Sequence, residues 1–232
     1  MSVQNPKDEI IQLLREKVVL KQDVLEVMHG VFKDLKLILE SIHQELHTEI
    51  LKLRRKIAVD YQERSEYEAV LTIADDTLVF LLHTNVFTFE QHHEIWKNSY
   101  VQQNPGNAFC GKIYIYNFLT DSFRFNRGND VGYLVGRLFV NREKHFFVEG
   151  KRQLGVLFND FPNEVLDRQK LKKIVEHAIH YSMDFDPYSP PYNEMSPVSV
   201  RAILESSLQA KIATGKRLGF RFQADKNKVE MP

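Results

Sequence analysis

The residues best suited by type and spacing to do chemistry are Asp130, Glu149 and Lys151. Glu149, Gly150 and Lys151 close an apolar run at 146–148 that has strand composition, and the aspartate lies upstream. Two carboxylates converging on a sheet hold Mg²⁺ through hard oxygen ligands. A lysine beside them orients or activates the attacking water, so such a trio cleaves phosphodiesters. The requirement is geometric: all three side chains must meet at one metal-accessible point. Chance competes with this reading, because 27% of the chain is charged and a Glu-x-Lys triplet is common in such a composition. Gly150 also suits a turn.

The pattern resembles the sparse Asp…Glu-x-Lys signature of the PD-(D/E)xK nucleases. That resemblance rests on three residues and implies Mg²⁺ as cofactor, with no obvious second acidic ligand after Asp130. Other chemistries have less behind them. Cys110 is the single cysteine, so no intramolecular disulfide and no zinc or redox pair can form. As a nucleophile it needs a base such as His83 or His145 beside it. His43 and His47 stand one helical turn apart without a third ligand, and the adjacent His92, His93 and Glu94 point in different directions on a helix. No P-loop, dinucleotide fingerprint or nucleophile elbow is present, and Gly128, Gly132 and Gly136 are spaced too widely for a phosphate loop.

A binding reading has more residues behind it. Aromatic side chains are dense between residues 80 and 160, among them Trp96, Tyr114 and Tyr116, with Arg124 and Arg127 among the nearest cations. Such rings either fill a core or line a pocket or partner surface. The primary expectation is therefore a non-enzymatic regulatory or scaffold protein without a cofactor, binding a small molecule or a protein partner through Trp96, Tyr114, Tyr116, Arg124 and Arg127. The Mg²⁺-dependent nuclease is the alternative.

The elements that must position these residues begin with a heptad: Ile11, Val18, Leu25, Phe32, Leu39, Leu46 and Leu53. It predicts a helical leader over 1–60, packed on its own core or self-associating as a homodimer through Phe32, Leu39, Leu46 and Leu53. Gly30 either divides the leader into two helices or marks a close contact. Strand patterns follow at 67–73, 77–83, 112–118, 122–126, 137–140 and 145–149, with a further one at 152–158. Helical spacing occupies 89–101 and 163–181. The sum is an α+β fold, an antiparallel sheet of about five strands in ββαβββ order. PAS-like, GAF-like and profilin-like domains share this order by analogy of layout alone. The core is expected over 61–185, a proline-rich connection over 186–198, and a C-terminal helix and tail over 199–232.

Thirty-one basic residues balance thirty-one acidic ones, so net charge supplies no attraction to nucleic acid or to an anionic membrane. The basic and aromatic alternation at 216–222 could grip phosphate and stack on bases, but it reads first as an edge strand with a solvated face. The polar opening residues show no secretory signal, and no apolar run approaches bilayer length. The expectation is a cytoplasmic protein.

Overall fold

The computed structural model describes residues 5–53 and 55–186. The fold is α+β, a six-stranded antiparallel sheet with a long N-terminal helix and a C-terminal helix against it. The expected connection at 186–198 and helix at 199–232, including 216–222, lie outside the described residues apart from Asp186.

The leader comprises α1 (Pro6–Leu13), one π-helical turn (Leu14–Val18) and α2 (Val19–Lys52). Asn5 caps its start by accepting the Lys7 N–H, and Asp8 and Glu9 lie in the first turn where the helix dipole favours anions. From Leu20 onward a stripe including Val24, Met28, Val31, Phe32, Leu35, Ile38, Leu39 and Ile42 is buried. Spacings of three and four place all of these on one face. Gly30 neither breaks the helix nor receives a neighbour, since nothing lies within 4 Å of where its Cβ would be.

The strands are β1 (Val59–Ser65), β2 (Glu68–Ile73), β3 (Asp76–Leu82), β4 (Cys110–Leu119), β5 (Tyr133–Asn141) and β6 (Phe146–Gly150). They pair in chain order as a continuous antiparallel meander. Strand alternation sends Leu71, Phe80, Ile113, Ile115, Leu138 and Phe146 to an inner face. There α2 and α6 (Arg168–Met183) cover them in one core. Gly111 faces α2 so closely that a Cβ would collide with the Met28 side chain. At one end of this face the buried Asn117 amide donates to Asp76 Oδ1 at 2.8 Å and to the Tyr133 hydroxyl at 3.0 Å.

Several local expectations are corrected. Three strands, not two, precede residues 89–101, because residues 59–65, for which no strand was expected, form β1 across the expected boundary between leader and core. Its charged residues hid a sheet edge. Residues 122–126 are not a strand. The chain turns at α4 (Thr120–Arg124), with Thr120 donating to the Asp75 and Ala74 carbonyls and Phe123 packing on Phe118 at 5.3 Å. Residues 152–158 hold the short helix α5 (Leu154–Leu157), and Phe158 C=O accepts the Val148 N–H, so this segment covers the edge of β6. In 89–101 a 3₁₀ turn (Glu94–Lys97) and α3 (Ser99–Gln103) replace one helix. Among the described residues the last helix, α6, starts at Arg168 because Asp167 caps it, accepting the Lys170 N–H at 2.7 Å.

The residues expected to carry self-association divide. Phe32 and Leu39 are fully buried in this chain's own core, and Leu46 packs partly against it. Leu53 is 60% exposed. Urea denaturation separates these roles. Phe32→Ala should cost about 3–5 kcal/mol as a cavity in the core, whereas Leu53→Ala should stay within about 0.5 kcal/mol of the parent.

Candidate functional site

The outer face of the sheet is only partly covered. Residues 87–109, including the 3₁₀ turn, α3 and a second 3₁₀ turn (Pro105–Ala108), cap one end of it. They bury Ile95, Val101 and Ala108 against Cys110, Phe139, Phe147 and Phe161. A fully buried asparagine, Asn141, fastens the cap. Its Nδ2 donates to the Tyr100 hydroxyl at 2.9 Å and to Asn107 C=O at 3.2 Å. Its Oδ1 accepts the N–H groups of Glu143 and His145 at 3.0 and 2.9 Å. All four hydrogen-bonding capacities of this amide are used. Tyr100 donates in turn to Glu143 at 2.6 Å and stacks on His145 with ring centroids 4.3 Å apart. Burial, then the bond to Glu143, holds its hydroxyl far above the ordinary phenol range.

Where the cap ends, the sheet is open and aromatic. On β4, alternation sends Lys112, Tyr114, Tyr116 and Phe118 outward. Tyr114 and Tyr116 stack with centroids 5.6 Å apart, and Phe118 lies 6.4 Å beyond. All three rings are partly exposed. Phe123 leans over the far end, with the Arg64 guanidinium 5.3 Å from its ring. Beside the row, Arg137 faces Tyr114 in the β4–β5 ladder and pairs with Glu149 on β6, whose other oxygen lies 4.0 Å from His93 Nε2.

Lys112 sits at the step between cap and open face and is 7% exposed. Its ammonium lies 3.6 Å from the Phe87 ring centroid and 4.7 Å from that of Tyr114. Among the described residues no carboxylate oxygen comes within 4.0 Å of it. Aromatic quadrupoles attract a cation without neutralising it, so the step keeps a positive charge. His83 stands edge-on to Phe87 at 4.7 Å. Its Nδ1 accepts the Asn85 N–H, and burial, then Lys112, lowers its pKa, so the ring favours its neutral form.

The structure brings Tyr114 and Tyr116 together as expected residues of one surface and leaves the others elsewhere. Trp96 belongs to the cap, where its indole N–H donates to the Phe89 and Glu90 carbonyls. Arg124 is exposed on α4 beside Phe125. Arg127 pairs at 3.2 Å with Asp130, which also accepts from Ser122 Oγ, and this knot closes the loop before β5. Asp130, Glu149 and Lys151 are held in separate contacts: Asp130 by Arg127, Glu149 by Arg137, and Lys151 with its side chain exposed and its N–H donating to Val135 C=O. Among the described residues no three His, Cys, Asp or Glu side chains are grouped to hold a metal. This arrangement does not fit the Mg²⁺ set that the nuclease resemblance implies. Cys110 is buried and its thiol is pushed far above its ordinary value by desolvation, which leaves it neutral. Sequence reasoning missed Lys112 as a neighbour of the tyrosines, although it shares their strand parity. A hollow of about 590 Å³ lies between α2 and β1, but Lys36 crosses toward β1 to reach Glu63 at 2.5 Å and Ser65 C=O at 2.9 Å.

The chain matches no known protein family, no curated protein and no solved structure. No helix among the described residues is long and apolar enough to cross a membrane.

Two measurements check this geometry. Asn141→Ala leaves buried donors and acceptors unpaired and should lower stability by about 1–3 kcal/mol in chemical denaturation. The His83 imidazole should titrate by NMR below its ordinary value of about 6.5, and Lys112→Met should raise its midpoint. Because the folded-state value is the lower one, the unfolded chain takes up this proton first. His83 therefore contributes stability above about pH 6.5 that is lost as the pH falls toward its folded value.

Proposed function

We propose that this chain is a non-enzymatic regulatory or scaffold domain that binds a planar anion, an aromatic carboxylate or an aromatic phosphate or sulfonate, on the open half of the outer sheet face. The observation that carries the reading is Lys112, a largely buried cation with aromatic neighbours and no carboxylate counter-ion among the described residues. Tyr114 and Tyr116 supply a stacking surface one residue-pair away along the same strand face. An anionic group reaching the ammonium at the step gains a charge-assisted bond in a partly desolvated place, where it is stronger than in bulk water. A ring attached to that group lies over the tyrosines, where offset stacking is favourable. Arg137 is already neutralised by Glu149 and orients the rim. The cap, fixed through Asn141, sets one wall of the site, and the partly exposed rings of Tyr114 and Tyr116 face the ligand beyond it.

Fluorescence titration with anilinonaphthalene sulfonate, itself a planar aromatic anion, tests the site. Saturable binding is expected, weakened at least ~tenfold by Lys112→Met and by Tyr116→Ala at unchanged secondary structure, the loss of one charge-assisted contact or one ring contact. Binding that neither variant alters, or no binding at all, overturns the proposal.

A further inference from the structure

The leader helix is longer than the body it covers. Its first buried residue is Leu20, and no residue of α1 or of the π-helical turn is buried. Fourteen residues, 6–19, thus extend past the core, about 21 Å of helix at the ordinary rise. They are not polar. Ile10, Leu13, Leu14 and Val18 recur at spacings of three and four and are 41–58% exposed. Isolated exposed apolar residues need no explanation, but four such residues on one side of about three turns make an unpartnered helix face.

We infer that this face is covered by the same face of a second copy of the chain, running antiparallel about a two-fold axis near Leu14. Charge selects both the occupant and its direction. The first turn carries Asp8 and Glu9 against a single cation, Lys7, and is net acidic, whereas the following turns carry Arg15, Lys17 and Lys21, with Glu16 the only acid among residues 14–21. In an antiparallel pair each acidic first turn lies against the partner's basic turns. In a parallel pair Asp8 and Glu9 lie beside their own copies, and like charges so placed repel. The antiparallel pairing also places the two sheet bodies at opposite ends of the joined helices, where they do not collide. One patch of each chain serves both sides, as a two-fold contact requires. The sequence heptad enters this overhang at Ile11 and Val18, while its later members Phe32 and Leu39 belong to the core. Self-association is therefore assigned to the front of the leader and not to its middle. The surface is separate from the outer sheet face, so this inference and the ligand proposal stand or fall independently.

Sedimentation velocity of the full chain over a concentration series is the test. A species of twice the 27.2 kDa chain mass is expected at high concentration. Leu14→Glu, at a position outside the core, should weaken the pairing at least ~tenfold without lowering the thermal midpoint of the dilute, monomeric chain. Lys17→Glu with Lys21→Glu should weaken it as well, and adding Asp8→Lys with Glu9→Lys should restore it. Orientation is read by cysteine cross-linking, to which the buried Cys110 does not contribute. Ile10→Cys mixed with Val18→Cys should form the mixed disulfide, and Ile10→Cys alone should not cross-link efficiently. A chain that remains a monomer at every concentration overturns the inference. So does a dimer indifferent to Leu14→Glu, or one in which Ile10→Cys couples mainly to itself.

Discussion

The docking of α2 onto the inner sheet face is the contact on which the rest depends. A six-stranded meander is built from local hairpins, but a sheet with one bare apolar face is not stable in water. The stripe from Leu20 to Ile42 runs across that face, and Phe32, Leu35 and Leu39 are almost wholly buried among strand residues such as Leu71, Phe80 and Ile113. Gly111 permits the approach, since any side chain there would strike Met28. With α2 in place, α6 fills the remaining inner surface through Leu171, Ile174, Val175 and Ala178. The inner face thus becomes core and the outer face is left to differentiate.

That differentiation follows from strand parity. Cys110, Phe139 and Phe147 point outward under the cap, while Tyr114, Tyr116 and Phe118 point outward beyond it. The cap stops where Lys112 begins, and its wall is rigid because Asn141 leaves none of its hydrogen-bonding capacity unused. Keeping the Lys112 ammonium against rings with no carboxylate beside it costs it part of its hydration. Burial of its aliphatic stem and the two cation–π contacts offset part of that cost.

Much of the fold was legible in the sequence because periodicity reports burial. The leader, the hairpin of β2 and β3, the long strand β4 and the last helix all carry one-sided apolar patterns. What was not legible lacked such a pattern or imitated another. The edge strand β1 carries Asp60, Glu63 and Arg64 and so reads as loop. Phe123 and Phe125 alternate as in a strand, yet Thr120 turns the chain with bonds to residues far away in sequence. The tyrosine row was legible because it lies within one strand. Which of the nearby cations lies beside it was not. Arg137 reaches it through the register of β5, a long-range fact that includes a bulge at Ile115 and Tyr116. The carboxylates failed as a metal set for the same reason: which arginine each one meets is decided by loop closure and cross-strand pairing, not by its distance from a lysine in the chain.

The two sheet edges bear on how copies of this chain can meet. An unpaired strand edge is the commonest route to association between sheets. Here β6 is shielded by the segment that follows it, through Val148 N–H to Phe158 C=O and the bridge of His145 with Val165. At the other edge β1 is charged, its register shifts between Glu63 and Ser65, and Lys36 engages the Ser65 carbonyl. Charge and irregularity of this kind oppose strand-to-strand addition. With both edges defended, the front of the leader helix still carries an exposed apolar stripe of Ile10, Leu13, Leu14 and Val18 among the described residues. A helix contact lets the chain associate without extending its sheet, and so without the open-ended growth that paired sheet edges invite.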